Sequence, residues 1–113
     1  MLPGYLQKAP PPGLAYEASW VVRAKVRNKT VGFAWVVAGV PEASVYIEET
    51  AVVADMQRRG VGSRLVVEAV RWMAELGYET VTITPISGTA WVERLGFRLA
   101  GHGLYEASTA GFG

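Results

Sequence analysis

The chain has 113 residues, half of them apolar and 19% charged, with a net charge of +1 and no cysteine. This is the size of one domain with one core, at the roughly 100–200 residues a domain usually takes. The composition argues against global disorder and rules out a disulfide framework, a thiolate metal site and a thiol nucleophile.

Residues 1–13 hold Pro3, Gly4 and then Ala9-Pro10-Pro11-Pro12-Gly13. Consecutive prolines cannot continue a helix and favour extended chain, so this segment reads as a proline-rich arm. The single domain is expected over 14–108, with a flexible tail at 109–113. Ser19–Val26 and Thr30–Ala38, separated by Arg27-Asn28-Lys29, read as a hairpin of valine- and aromatic-rich strands. The longest apolar stretch, Val31 to Val40, stops at Pro41 and falls far short of the roughly 20 residues of a membrane helix. Pro41-Glu42 marks a turn. Met1-Leu2-Pro3-Gly4 opens no signal-peptide pattern, and acids and bases are interspersed without the basic stripe of a nucleic-acid binder. A soluble, cytoplasmic protein with no membrane or nucleic-acid partner is expected.

Val45–Val53 is apolar on both faces apart from Glu48, Glu49 and Thr50, which suits an interior strand. From Val61 the period changes. Leu65, Ala69, Trp72 and Leu76 recur at helical spacing, widened by Val66, Val70 and Met73. Arg64, Glu68, Arg71 and Glu75 share the other face at ion-pair spacing, and Gly77 stands where a C-terminal cap belongs. Glu79–Thr84 alternates like a strand, so strand, helix and strand form a βαβ unit whose strands should be parallel. A short helix over Thr89–Leu95, closed by Gly96, precedes a last hairpin, Phe97–Ala100 and Leu104–Ala107, around Gly101-His102-Gly103.

Between the interior strand and the long helix stands Gln57-Arg58-Arg59-Gly60-Val61-Gly62-Ser63. Its glycines clear the approach to the backbone. Amides of the turn and of the first helical turn then point outward at the positive end of the helix dipole, a ready site for a pyrophosphate. Arg58 and Arg59 add positive charge. A P-loop would need a lysine where Ser63-Arg64 stands, and a dinucleotide fingerprint a small residue where Leu65 stands.

Here the sequence resembles the GNAT superfamily of acyl-CoA N-acyltransferases. Gln57-Arg58-Arg59-Gly60-Val61-Gly62 matches its Gln/Arg-x-x-Gly-x-Gly/Ala signature, preceded by a strand ending in Ala51-Val52. Lys29-Thr30-Val31-Gly32-Phe33-Ala34 is similar to its second hairpin strand. Ala90-Trp91-Val92-Glu93-Arg94-Leu95-Gly96-Phe97 is similar to its short helix and Gly-Phe close. The resemblance spans residues 19–107 and is most specific over 51–97. It implies an α/β fold: a mixed, mostly antiparallel sheet with a central parallel pair and flanking helices. It also implies acetyl-CoA as co-substrate, with the backbone of Val52 and Val53 pairing with the pantetheine arm. Gln57, Arg58, Arg59, Gly60, Val61, Gly62 and Ser63 would form the pyrophosphate turn. The thioester would lie where the interior strand splays from the next.

The implied reaction is attack of a neutral amine, on a small molecule or a protein, on the thioester carbonyl. A backbone N–H near Val52 or Val53 would stabilise the oxyanion. A carboxylate in reach would take the ammonium proton, and Glu48 and Glu49 are the acids on the right strand. Adjacent strand residues project to opposite faces, so at most one is expected to face a given side of the cleft. Two departures from the family stand out: its short-helix tyrosine, a thiolate-protonating acid, is Val92, and its coenzyme-contacting asparagine is Pro85. These leave an alternative, a catalytically weak or inactive acyl-CoA-binding or regulatory module. His102 reads as a turn residue without metal partners. Trp20, Trp35, Trp72 and Trp91 read as core packing rather than stacking platforms. With few residues ahead of the first hairpin to cover the sheet, a homodimer tied by the Pro10-Pro11-Pro12 arm is a further expectation.

Overall fold

The valine- and aromatic-rich runs all form strands, and the one long run of helical period forms the one long helix. The structure is a computed structural model. It describes residues 19–38, 43–85, 88–110 and 112, and the backbone of residues 5–9. In chain order the elements are β1 (Tyr5–Ala9), β2 (Ser19–Val26), β3 (Lys29–Ala38), β4 (Ser44–Val52), a 3-10 turn (Ala54–Met56), α1 (Val61–Glu75), β5 (Thr80–Ile83), α2 (Ala90–Leu95), β6 (Arg98–Gly101) and β7 (Leu104–Ser108).

Among the described residues the strands form one seven-stranded sheet in the order β1-β2-β3-β4-β5-β7-β6. Every neighbouring pair is antiparallel except β4 and β5, which run parallel. This is the mixed sheet expected from strand, helix and strand in sequence. Arg27 and Asn28, at φ 51° and 66°, join β2 to β3 between the paired residues Val26 and Lys29. Two consecutive positive φ angles in a two-residue loop make a type I′ turn, whose twist matches that of the flanking strands.

One face of α1 (Val61, Leu65, Val66, Ala69, Val70 and Met73) is buried against Val22, Ala24, Ala34, Val36, Val45, Ile47 and Val81 of the sheet. The small residues of β2 and β3 lie in this core and let the helix approach. At Gly32 the approach is closest: a Cβ there would stand 3.0 Å from the Ala51 carbonyl oxygen and 3.1 Å from Leu65 Cδ1. Trp20 packs edge-on against Trp72 and Tyr78, with ring centroids 6.5 and 5.5 Å apart. The last turn of α1 closes as a Schellman motif, with Tyr78 N–H on Met73 O (3.0 Å) and Gly77 N–H on Ala74 O (3.1 Å). Gly77 takes the left-handed φ of 97° which that motif demands. On the outer face Glu68 pairs with Arg64 at 3.1 Å and Arg71 at 3.5 Å.

Two segments differ from the sequence reading. The arm expected over residues 1–13 contains a strand: β1 pairs along β2 from Tyr5–Lys25 to Ala9–Val21. A short strand bordered by prolines is admissible at a sheet edge, where no further strand needs the missing N–H. Pro10-Pro11-Pro12 and the turn at Pro41-Glu42 lie outside the described residues. The tail expected at 109–113 includes Thr109, which is buried. Its hydroxyl donates to Tyr78 O at 2.6 Å. Phe112 packs edge-on against Phe97, with centroids 5.2 Å apart. No helix among the described residues is long and apolar enough to cross a membrane.

Candidate active site

The parallel pair is short, and the site begins where it stops. β4 and β5 are in register from Ser44–Thr80 to Ile47–Ile83. β5 ends there, at Ile83; Thr84-Pro85 follows, and proline has no N–H to continue a ladder. β4 runs on to Val52, so from Glu48 onward its β5-side edge borders a gap.

The same stretch of β4 carries a bulge. Trp35 of β3 stands opposite Glu49 and Val36 opposite Ile47, leaving Glu48 as an extra residue without a partner. An extra residue resets the alternation of side chains. Without it Ile47 and Glu49 would share a face; with it Ile47 is buried in the α1-side core while Glu49 is exposed. The rule that neighbouring strand residues oppose each other does not hold here. Glu48 and Glu49 both line a crevice of about 80 Å³ in the gap, with Ile47, Thr84, Pro85 and Trp91.

Beyond the bulge the backbone decides between Val52 and Val53. Val53 donates its N–H to Val31 O at 2.9 Å, so that group is committed to β3. Ladder bonds alternate along an antiparallel pair, and Val52, one residue back and opposite Gly32, turns its N–H away from β3 toward the gap. Of the two expected strand positions, Val52 alone has an N–H facing the gap. Gln57 has a bracing role: its side-chain amide donates to Val52 O at 2.9 Å and ties the turn to the end of β4.

The turn then coils into α1. Arg58 has φ 61° and Gly60 φ 79°. Gly60 is the N-cap, and a glycine there takes the left-handed conformation without the strain other residues bear. The helical ladder opens with Arg64 N–H on Gly60 O at 3.0 Å. The amides of Val61, Gly62 and Ser63 precede it and have no carbonyl one turn back. They front a cleft of about 640 Å³ whose lining includes Arg58, Gly60, Gly62 and Ser63 on one side and Trp91 and Arg94 of α2 on another. Arg59 is exposed beside the turn but is not part of that lining. Cleft and crevice meet at Thr50 and Trp91, the two residues that line both.

Thr50, Trp91 and Arg94 escaped the sequence reading. Trp91, expected as packing, is half-buried against the core and also walls the cleft. Arg94 gave a usable signal: three residues after Trp91, it shares that face of a short helix. Val92 is completely buried, so the position of the family's tyrosine here faces the core. His102 is exposed on the turn between β6 and β7. No group of three or more potential metal ligands occurs among the described residues.

Solved structures that share this architecture include three acetyltransferases. An acetyltransferase of the GNAT family from Desulfovibrio desulfuricans, described as putative, superposes with a TM-score of 0.71 at 20% identity, covering 82% of this chain and 71% of its own. The IAA acetyltransferase from Bacillus cereus gives 0.73 at 17% identity, covering 86% and 78%. A GNAT family acetyltransferase from Brucella melitensis, in complex with acetyl-CoA, gives 0.69 at 14% identity, covering 79% of this chain. The present chain spans 57% of the length of the Brucella protein. At these identities the likeness is one of fold. No curated protein matches the sequence. The acetyltransferase (GNAT) family model matches residues 4–97, from the edge strand β1 through the glycine turn to the close of α2, and the chain therefore belongs to the GNAT acetyltransferase family.

Proposed function

We propose that the protein transfers an acetyl group from acetyl-CoA to a primary amine, with the cleft at the head of α1 receiving the coenzyme. The observation that carries this reading is the placement of two recesses, an amide-fronted cleft with Arg58 and Arg94 and a crevice in the β4–β5 gap, meeting at Thr50 and Trp91. A pyrophosphate suits the first, since unpaired amides and the helix dipole attract anions. An extended thiol arm suits the free edge of β4, where the Val52 N–H would pair with it. The reacting carbonyl would then reach the crevice.

In the reaction the amine nitrogen bonds to the carbonyl carbon and the carbon–sulfur bond breaks. The amine's proton passes to Glu48 or Glu49, directly or through water, and coenzyme A leaves as thiolate. While the nitrogen keeps its proton the intermediate can also expel the neutral amine, but a nitrogen without that proton could leave only as an anion far more basic than a thiolate. Once the nitrogen has lost its proton, collapse runs forward, and the thiolate can take a proton from water. The buried Val92 therefore removes a helpful acid without blocking the path.

Val92 also favours a second reading, a domain that binds acyl-CoA without efficient turnover. A thermal-shift series with CoA and acetyl-CoA, followed by a panel of amine acceptors, separates the two. Binding with turnover supports the transferase, binding without it the second reading, and no binding refutes both.

A further inference from the structure

Trp91 stands at the junction of the two recesses, and among the described residues it is the one bulky side chain that does. The crevice beyond it, at about 80 Å³, is one-eighth the volume of the 640 Å³ cleft on its near side. An apolar cavity of about 150 Å³ takes a benzene ring, so this is room for a few atoms. Its walls are stiff. Ile47 and Ile83 belong to the paired, buried ends of β4 and β5. Pro85 lines the β5 side. Trp91 is held by α2, whose next residue, Val92, is wholly buried, and whose end is fastened by Phe97 N–H on Val92 O at 3.0 Å.

We propose that Trp91 sets the acyl-chain length, confining the transferred group to acetyl or propionyl by walling the crevice in the β4–β5 gap. The inference rests on the coenzyme reading above and deepens it. A two- or three-carbon acyl group fills the space between Trp91 and Pro85. A longer chain must displace the indole or bend out past Glu48 and Glu49, leaving methylenes in water beside carboxylates. Pocket walls that reject added methylenes discriminate by about tenfold or more. Among the described residues the other one shared by the two recesses, Thr50, is far smaller than the indole.

Isothermal titration with CoA, acetyl-CoA, propionyl-CoA and hexanoyl-CoA tests this without an acceptor. Each dissociation constant is divided by that of CoA for the same variant. In the wild type the ratio stays near unity for acetyl and propionyl and rises about tenfold or more for hexanoyl. Trp91→Ala, which opens the crevice into the cleft, brings the hexanoyl ratio back toward unity. Trp91→Phe, a milder change that keeps an aromatic ring on the core, lowers it part of the way and serves if the alanine variant does not fold. A flat profile in the wild type overturns the proposal, as does an unchanged hexanoyl ratio in a folded Trp91 variant. Failure of CoA itself to bind overturns the coenzyme reading and this inference with it. CoA binding with a flat acyl profile overturns this inference alone.

Discussion

Replacing Gly62 with aspartate separates folding from coenzyme binding, because the two effects have opposite signs. Gly62 lies in the first turn of α1 without a positive φ, and a Cβ there would meet only Val52 Cγ2 at 3.8 Å, an ordinary contact. The side chain therefore fits the unliganded protein. That first turn carries no acidic residue, and a carboxylate near a helix N-terminus adds about 0.3–1 kcal/mol. Losing the glycine adds about 0.4–1 kcal/mol through the unfolded chain. The melting temperature of Gly62→Asp should rise by a few degrees, at about 4–8 °C per kcal/mol for a domain near this size. The same carboxylate stands where the proposed pyrophosphate would sit, and two like charges about 4 Å apart repel by about 1 kcal/mol in water and about 4 at a protein surface. A loss of about 3 kcal/mol is therefore expected, roughly a hundredfold in Kd, shrinking as salt screens the repulsion. Gly62→Ala is the control: it should gain stability and keep CoA binding, since the family signature allows alanine there. Calorimetric titration of CoA into all three proteins, beside thermal melts, reads both effects. A stabilised Gly62→Asp that binds CoA within a few-fold of wild type would refute the anion site. A destabilised one would refute the helix-dipole reasoning.

Other expectations follow from the same geometry. Glu48→Gln and Glu49→Gln should both bind acetyl-CoA normally, while one of them loses about 100-fold or more in turnover at neutral pH. That loss should shrink as pH approaches the amine's own pKa, because the free amine then needs no base, and equal pH-independent rates in both variants would remove the assignment. Thr50 Oγ1 is buried without a hydrogen-bond partner, and removing an unpaired hydroxyl relieves about 1–3 kcal/mol. Thr50→Val should therefore melt several degrees higher, and a lower melting temperature would mean that the hydroxyl has a partner. The β2–β3 turn holds Arg27 in a left-handed conformation that type I′ turns prefer to give to asparagine and glycine. Arg27→Asn should stabilise by about 1 kcal/mol, read from a urea melt with unchanged slope. Gly32→Val should cost about 1–3 kcal/mol, since the Ala51 carbonyl 3.0 Å from its Cβ belongs to a paired strand and cannot retreat. Wild-type stability in that variant would show that α1 and the sheet can part.

What the sequence made legible was whatever a local pattern carries alone. The stripe from Leu65 to Met73 needs no partner to be read as a buried helix face, and the run from Gln57 to Ser63 announces its turn by glycine spacing. The parallel pairing of β4 with β5 follows from element order. The features that escaped depend on what lies across the sheet. Nothing in Ile47-Glu48-Glu49-Thr50 marks a bulge, because the extra residue exists only relative to Trp35 and Val36 on β3. The difference between Val52 and Val53 is likewise a matter of ladder register, invisible in two adjacent valines. β1 is five residues long and bordered by prolines, so its pairing is decided by the exposed edge of β2 rather than by its own pattern. Trp91 packs on the core as its pattern implies, but in a helix of six residues an aromatic can pack there and still face a cleft, and the pattern is too short to show the second role. These missed features, apart from β1, all lie at the mouth of the β4–β5 gap. There a broken ladder, a reset alternation and an unpaired hydroxyl coincide, departures from regular sheet that a folded chain tolerates where a ligand can complete them.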